Sequence, residues 1–365
     1  MKRIISAILL VAILLTALVS CAKYPAKRST WEEKRVVITL NLDGEKYKVK
    51  YELYRALFLN YKSQVDGGDS SVWSSGSKDW YIDRINEIII QKASEIYAVF
   101  HLAEEVGIDP YSSDVDKKIK EYIEVSVDGN DSDIAGFDGD YEKYLEALKE
   151  NNLNYSLQEL LFRYEITLGL INEYYKGYED KALGHIAGDF SYSRDDVRNY
   201  YYSDSSVRIL HAYLDSGYGS NARERIEYVR TGMLNKSNAL EIALYIINNT
   251  AVTASDLIIN KKVSGVMVGN YALSDAYGIY KDTAFALEVG QTSEVIEIND
   301  GVTTYYVLYK LEKTEEHFND CYEDIASAYL DNKIGERLAS IASNLAGSAE
   351  YTKKYSKITH SEISM

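Results

Sequence analysis

The sequence predicts an α+β protein, in which a mainly helical domain formed by both ends of the chain surrounds an inserted domain of strands and helices. Apolar residues recur at helical spacing from Tyr51 to residue 176, an apolar β-like run follows from Val207 to Leu214, and helical spacing returns after Glu316. A chain of 365 residues is long enough for two domains of ordinary size. We expect the inserted domain to contain a small, mostly antiparallel sheet with helices around it.

The mainly helical domain opens with a predicted β-hairpin. Two short β-like segments, Val36 to Leu42 and Tyr47 to Tyr51, are separated by a turn at Asp43 and Gly44. An Asp-Gly pair adopts the positive φ angles that a two-residue hairpin turn requires. We therefore expect the two segments to pair in antiparallel fashion.

Helices separated by polar or glycine-rich breaks are predicted to follow the hairpin. Gly107 should end the longest helix, and Ser112 or Ser113 should cap the next one. Ser156 and Glu159 have the spacing of a capping box at the start of the last helix. The longest helix would bury Ile82, Ile85, Ile89, Ile96, Phe100 and Ala103, the next would bury Val115, Ile119, Tyr122 and Ile123, and two more would span Tyr141 to Glu150 and Leu157 to Tyr175.

The inserted domain has the mixed order of elements that is typical of an α+β fold. A strand from Val207 to Leu214 precedes two helices, a loop rich in small residues, a Tyr- and Ala-rich helix and two further strands. Apolar residues at helical spacing then continue toward the C-terminus. The later elements are expected at Ala222 to Leu234, Ala239 to Asn248, Ala276 to Leu287, Glu294 to Ile298 and Thr304 to Leu311, and the C-terminal stripe consists of Ile325, Ala328, Ile334, Leu338, Ile341 and Leu345.

The first 21 residues have the order of a secretory signal. Lys2 and Arg3 precede an apolar run from Ile4 to Val19, which is shorter than the ~20 residues needed to span a bilayer. The segment from Leu18 to Cys21 (LVSC) resembles the lipobox of bacterial lipoproteins. That resemblance implies cleavage before Cys21, lipidation of its sulfur and attachment to the extracytoplasmic face of the cell membrane. A plain secretory signal is the alternative.

Composition narrows the classes of function. Removal of Lys2 and Arg3 with the signal would take the formal net charge from −16 to −18, and an acidic surface disfavours nucleic acid, which binds through Lys and Arg. With Cys21 acylated, Cys321 has no partner for an intramolecular disulfide. The five histidines are scattered and form no Cys/His set with metal-ligand spacing, so we expect neither a metal nor a cofactor.

Tyrosine is unusually abundant. The chain has 34 Tyr residues but only 7 Phe and 2 Pro. A Tyr ring can pack at the edge of a core while its hydroxyl reaches water or a polar partner. We therefore interpret most of these rings as half-exposed core residues.

Several segments of the chain occur in a recognisable order. The segment from Val207 to His211 (VRILH) ends in a histidine, and the segment from Phe285 to Val295 (FALEVGQTSEV) has the spacing Leu-x-x-Gly-x-x-Ser-x-Val. Before them come the hairpin turn and the segments Leu102 to Ile108, Asp114 to Ile123, Tyr141 to Leu145 and Leu157 to Leu161, and after them comes Tyr305 to Leu311. Together these segments resemble the extracytoplasmic foldases of the PrsA and SurA type. In that family a helical chaperone domain surrounds a parvulin-type peptidyl-prolyl isomerase domain.

The resemblance implies a division of the chain into domains. A SurA-like chaperone domain would use two separate stretches of sequence, with the parvulin-like domain between them. The implied boundaries are 1–20 for the signal peptide, 21–34 for a tether, 35–190 for the N-terminal chaperone domain, 205–313 for the parvulin-like domain, 314–350 for a C-terminal helix that completes the chaperone domain, and 351–365 for a polar tail.

The resemblance also implies site residues. His211 matches the first active-site histidine, Tyr280 lies where the family has a pocket phenylalanine, and Tyr306 replaces the second histidine. Val268, Ala276 and Phe285 are the candidates for the substrate pocket, with Ala276 standing where a methionine is expected. Two further departures are the segment Gly265 to Gly269 (GVMVG) in place of Gly-Gly-Asp-Leu-Gly, and Asn248 or Asn249 at an acidic or cysteine position.

Three classes of function stay open. The first is a foldase with prolyl isomerase activity, and the second is a polypeptide-binding chaperone without catalysis, in which His211 and Tyr306 are ordinary core residues. The third is a solute-binding lipoprotein, which usually has two α/β lobes with alternating strands and helices, and the sequence lacks that alternation. The expected partners are unfolded or newly exported polypeptides and, through Cys21, the membrane; a homodimer also stays open.

Lipidation of Cys21 can be tested directly. Replacing the sulfur in Cys21→Ser removes the atom that would carry the acyl chain. We expect the variant to lose labelling by a radioactive fatty acid and to be released into the medium. If labelling persists, or if the variant stays on the membrane, the lipobox interpretation is wrong.

Overall fold

The computed structural model describes residues 30–129, 136–176, 179–180, 184–185, 192–215, 217, 219, 221–259, 262–271, 280–300 and 302–352. The signal peptide, Cys21, the tether as far as residue 29, Ala276 and nearly all of the polar tail therefore lie outside the described residues. Among the described helices, none is both long enough and apolar enough to cross a membrane.

Helices account for most of the regular structure in the described residues. The longer helices lie toward the two ends of the chain, and the shorter ones lie between them. In chain order they are α1 Tyr51–Asp66, α2 Lys78–Glu105, α3 Ser113–Asp128, α4 Tyr141–Glu150, α5 Tyr155–Lys176, α6 Arg194–Tyr202, α7 Ala222–Leu234, α8 Ala239–Asn249, α9 Ala254–Leu257, α10 Lys281–Ala286, α11 Glu315–Asp320 and α12 Tyr322–Gly347, with a 3₁₀ helix at Ser70–Ser74.

The described strands form small antiparallel sheets. One sheet has three strands, another has four, and two are single pairs. In chain order the strands are β1 Val36–Leu42, β2 Glu45–Lys50, β3 Glu179–Asp180, β4 Gly184–His185, β5 Ser206–Asp215, β6 Ile258–Ile259, β7 Lys262–Val263, β8 Val266–Gly269, β9 Ile296–Asp300, β10 Val302–Leu311 and β11 Glu350–Tyr351.

The chain forms two compact units. Within the described residues, the first unit contains residues 30–174 and 337–352 together with β3 and β4, and we call it the helical unit. The second contains residues 175–176 and 192–336, and we call it the sheet unit. The structure thus confirms the α+β class, with a mainly helical unit made from both ends of the chain and small antiparallel sheets.

The helical unit begins with the predicted hairpin. Strand β1 pairs with β2 on one side and with the C-terminal strand β11 on the other, so the sheet order is β11-β1-β2. Asp43 and Gly44 have φ angles of 50° and 90°, as a two-residue turn between antiparallel strands requires. Tyr51 is the first residue of α1, whereas the sequence pattern placed it at the end of the second strand.

Helix α2 carries the core of the helical unit. Ile85, Ile89 and Phe100 are among its fully buried residues, and Ile96, which was predicted to be buried, is half-buried. The helix ends in a Schellman motif, because the Ile108 amide donates to the Ala103 carbonyl and the Gly107 amide donates to the Glu104 carbonyl. Gly107 has φ of 80°, a conformation that glycine adopts without strain, so it ends the helix as predicted.

The predicted capping box at the start of α5 is wrong. The helix begins at Tyr155, and the Asn154 side chain accepts a hydrogen bond from the Leu157 amide at 2.8 Å. Ser156 therefore lies inside the first turn, where its hydroxyl contacts the Glu52 carboxylate at 3.4 Å. Asn is as good an N-cap as Ser, and here it stands at the position from which its side chain reaches the free amide.

A four-stranded antiparallel sheet in the order β8-β5-β10-β9 forms the centre of the sheet unit. Strand β5 is buried at nine of its ten positions, as expected for a central strand with both faces covered. It pairs with β10 so that His211 lies opposite Leu308 and Tyr213 lies opposite Tyr306. The strand predicted from Val207 to Leu214 is thus an inner strand of the central sheet of this unit.

The two faces of β5 belong to different cores, because alternate side chains point to opposite sides of a strand. One face, which includes Leu210 and Leu214, packs with α7 and α8 through residues such as Ile226 and Ile246. The other face carries His211. It contributes to a second core made of Val207, Ile209, Val268, Tyr280, Ala284, Leu287 and Leu308.

Buried Arg208 fixes β5 to its surroundings. Its guanidinium donates to the carbonyls of Ser264 and Glu312, each at 2.8 Å, and to the carbonyl of Val263. These carbonyls precede β8 and follow β10, so one side chain ties together the ends of three neighbouring strands. Charge-assisted hydrogen bonds of this kind compensate for the burial of a cation.

Some element ends differ from the sequence predictions. The C-terminal helix is interrupted at buried Cys321 into α11 and α12. The described part of the Tyr- and Ala-rich helix is α10, and residues 276–279 lie outside the described residues. Strand β9 starts at Ile296 rather than Glu294, and Ala328 is half-buried whereas Ile325, Ile334, Leu338, Ile341 and Leu345 are buried.

Candidate functional site

His211 lies in the middle of β5, on the face that packs against α10. It is only 7% exposed, and its Nδ1 lies 2.9 Å from the hydroxyl of Tyr280, which is itself 1% exposed. Tyr280 immediately precedes α10, so the start of that helix brings its ring over the strand. The hydrogen bond fixes the orientation of the imidazole.

Tyr306 joins His211 and Tyr280 from the neighbouring strand. The ring centroids of Tyr280 and Tyr306 are 5.3 Å apart, and those of His211 and Tyr280 are 6.2 Å apart. Tyr213, two residues after His211 on the same face of β5, completes the group, with its ring 5.8 Å from Tyr306 and 6.0 Å from His211. We call His211, Tyr213, Tyr280 and Tyr306 the aromatic cluster.

The three residues assigned to catalysis by resemblance therefore lie together. Of the pocket candidates, Val268 is fully buried in the same core, and Phe285 packs against that core while half-buried. Ala276 lies outside the described residues. The sequence reasoning missed Tyr213, although its position two residues after His211 in a strand already places both side chains on one face.

Burial controls the charge state of the aromatic cluster. Removal from water disfavours the imidazolium and lowers the pKa of His211 to about 4. The imidazole is therefore neutral at pH 7, with one nitrogen that donates and one that accepts hydrogen bonds. Tyr306 and Tyr213 are half-buried, so they form the part of the cluster that solvent or a ligand can reach.

A histidine bound to a tyrosine is not specific to this place. All three histidines whose side chains are described have Nδ1 at 2.9 Å from a Tyr hydroxyl: His211 with Tyr280, His317 with Tyr201, and His101 with Tyr47. The hydrogen bond alone therefore identifies no site. The aromatic cluster is distinguished by two further, half-buried rings: Tyr213 contacts the imidazole, and Tyr306 contacts the rings of Tyr213 and Tyr280.

The chemistry available to the aromatic cluster is that of a non-covalent site. Tyr faces bind apolar rings, including the pyrrolidine ring of proline, and Tyr hydroxyls and a neutral imidazole can hydrogen-bond to a peptide group. The Tyr306 hydroxyl can both donate and accept a hydrogen bond.

No protein-family model matches this sequence, and no curated protein matches it. Among solved structures, the foldase protein PrsA from Streptococcus pneumoniae str. Canada MDR_19A is similar over 89% of this chain and 96% of its own, with 14% identity and a TM-score of 0.33. PrsA from Bacillus subtilis is similar over 89% of this chain and 94% of its own, with 13% identity and a TM-score of 0.25.

A third structure, the peptidylprolyl isomerase PrsA from Bacillus anthracis, is similar over 69% of this chain and 96% of its own. The identity is 12% and the TM-score is 0.24. The chain is thus similar to PrsA structures over most of its length, at low identity and low TM-score.

The neutral state of the buried histidines predicts a pH dependence of stability. Because the folded pKa of His211 is about 4, below the unfolded value of ~6.5, only the unfolded chain binds this proton between those values. The stabilisation by neutral His211 is therefore fully present above pH ~6.5. By pH 4.5 the proton bound by the unfolded chain lowers the free energy of unfolding by about 2–3 kcal/mol. Urea unfolding measures the free energy of unfolding at pH 7 and at pH 4.5. The difference between these two values should be smaller for His211→Gln than for the wild type, since the carboxylates contribute equally to both proteins.

A second variant repeats the urea test, and an NMR titration measures the pKa of His211 in the folded protein directly. The pKa of His317 is also lowered to about 4 by burial, so His317→Gln should reduce the pH effect in the same way. If the NMR titration gives a pKa near 6.5 for His211 in the folded protein, the description of His211 as a buried, neutral imidazole is wrong.

Proposed function

We propose that this chain is a membrane-anchored extracytoplasmic foldase, which binds unfolded, newly exported polypeptides and accelerates the isomerisation of their X-Pro bonds at the aromatic cluster. The observation that carries the proposal is the group formed on one face of the sheet by a neutral His211, which Tyr280 orients, and by Tyr306, whose ring contacts that of Tyr280. The predicted lipobox at Cys21 supports the proposed location.

The reaction requires little from the protein. An X-Pro bond is held planar by amide resonance, which creates a barrier of roughly 20 kcal/mol and an uncatalysed time of tens of seconds. No covalent step is needed. A site accelerates the rotation if it binds the twisted amide more tightly than either planar form.

The aromatic cluster offers a division of roles. The half-buried rings of Tyr306 and Tyr213 would hold the proline ring, while His211 would hydrogen-bond to the twisted peptide group. Tyr280 would act as a positioning residue, because its hydroxyl holds Nδ1 of His211. A twisted amide has lost resonance, so its nitrogen and oxygen form different hydrogen bonds from those of the planar form.

Exposed apolar side chains on α7 and α8 support the binding of unfolded chains. Tyr228 is 69% exposed and Leu234 is 56% exposed on α7, and Leu240 and Leu244 are 43% and 46% exposed on α8. Leu240 and Leu244 are four residues apart and thus share one face of the helix. Exposed apolar groups of this kind are the usual contact points for other polypeptides.

A chaperone without catalysis is the second candidate, and the burial of His211 favours it. A side chain that is 7% exposed and already bonded to Tyr280 has limited access to a substrate. No such observation favours a solute-binding lipoprotein. That class usually has α/β lobes with parallel strands, whereas every strand pair in the described residues is antiparallel.

A prolyl isomerase assay on the full-length protein in detergent separates the two candidates. We expect acceleration with a proline-containing test peptide, and roughly tenfold lower kcat/KM in His211→Ala, which corresponds to the loss of one hydrogen bond in the transition state. Tyr306→Ala, which removes a ring that would hold the proline, should also lower kcat/KM. His317→Ala is the matched control, because it removes the other buried His–Tyr pair of the sheet unit. That variant should keep full activity if it folds.

Suppression of aggregation of a denatured substrate tests binding in the same preparation. Leu240→Glu combined with Leu244→Glu should weaken suppression, whereas Asn248→Glu, which adds a charge on the same helix face, should not. Suppression without acceleration would establish the non-catalytic chaperone. Absence of both effects would refute the foldase proposal.

A further inference from the structure

Three side chains of types that can ligate a metal converge in the helical unit, outside the aromatic cluster. Nε2 of His101 lies 3.7 Å from a carboxylate oxygen of Asp43 and 3.6 Å from one of Glu105. One ligand atom from each of the three residues can be chosen so that all three lie within 4.8 Å of one another. His101 is 5% exposed, so its nitrogen faces the two carboxylates from within the protein.

Tyr47 holds the second nitrogen of the His101 imidazole. Its hydroxyl lies 2.9 Å from Nδ1 of His101 and 3.1 Å from a carboxylate oxygen of Glu104. When the hydroxyl donates its one proton to Glu104, its oxygen accepts the Nδ1 proton of His101.

In that tautomer of neutral His101, Nε2 is an acceptor. The lone pair of Nε2 then points toward two carboxylates, which are also acceptors. Three acceptors that face one another repel unless a cation lies among them, and the cation is either a second proton on His101 or a metal ion.

We propose that Asp43, His101 and Glu105 bind a divalent transition metal ion, through Nε2 of the histidine and one oxygen of each carboxylate. Tetrahedral Zn²⁺ with bonds of ~2.0–2.2 Å places its ligand atoms ~3.3–3.5 Å apart, so the observed 3.6 and 3.7 Å separations need only small side-chain movements. A water molecule would occupy the remaining position.

The fold preorganises each ligand. His101 and Glu105 are four residues apart, hence on one face of the last turns of α2, and the turn between β1 and β2 presents Asp43 with φ of 50°. Tyr47 holds the second nitrogen of the imidazole, the arrangement that orients most metal-binding histidines. Arg337 holds the other carboxylate oxygen of Glu105 at 2.7 Å.

The donor set selects the class of metal. Imidazole together with carboxylates suits Zn²⁺ and similar transition ions, whereas Ca²⁺ and Mg²⁺ prefer sites made only of oxygen ligands. The site would link the hairpin to the end of α2, so a bound ion would stabilise the helical unit. No Cys/His spacing in the sequence indicates this site, because its ligands are two carboxylates and a single histidine.

Titration of the full-length, chelator-treated protein with ZnCl₂ in detergent tests the proposal. We expect one saturable calorimetric site at pH 7.5, a higher unfolding temperature with Zn²⁺, and no comparable binding of Mg²⁺ or Ca²⁺. Asp43→Asn and Glu105→Gln should each weaken Zn²⁺ binding roughly tenfold or more. Asp43 is an exposed turn residue, and Asn tolerates the same positive φ, so that variant keeps the fold.

Glu95→Gln is the matched control, since Glu95 lies on the same helix but pairs with Lys92, and it should bind Zn²⁺ as the wild type does. Absence of saturable binding, or equal affinity in Asp43→Asn and the wild type, would overturn the proposal.

Discussion

The pairing of β5 with β10 is the constraint on which the sheet unit depends. Its register sets Tyr213 opposite Tyr306 and His211 opposite Leu308, so the imidazole and both half-buried rings share one face of the sheet. The opposite face is filled by α7 and α8, and Arg208 ties the strand ends to the flanking chain. A slip of one residue would turn His211 into the core beneath α7 and α8.

Local features of the chain were predictable from sequence. The apolar run that becomes β5, the Asp-Gly turn at Asp43 and the glycine that ends α2 each depend on chemistry within a few residues. Long-range features were not predictable. Nothing local indicates that Tyr306 would lie beside Tyr213, or that Asp43 would approach His101 across 58 positions of sequence, because both depend on how separate elements dock.

The abundance of tyrosine has a consequence that composition alone did not reveal. In the described residues, Tyr47, Tyr201 and Tyr280 each satisfy one nitrogen of a buried histidine, so a ring that packs in the core also provides a hydrogen-bond partner there. The three sites then differ in what faces the rest of the imidazole: carboxylates at His101, and further aromatic rings at His211. The same pairing can thus support a structural contact, an ion site or a peptide site.

The central claim is that the aromatic cluster contacts the proline-containing segments of unfolded polypeptides. An NMR titration of the histidine-labelled, full-length protein with an unfolded, proline-rich polypeptide tests it most directly. The account predicts that the imidazole signals of His211 shift with saturation while those of His317, in the equivalent pair with Tyr201, stay in place. Unchanged His211 signals at saturating polypeptide would contradict the claim.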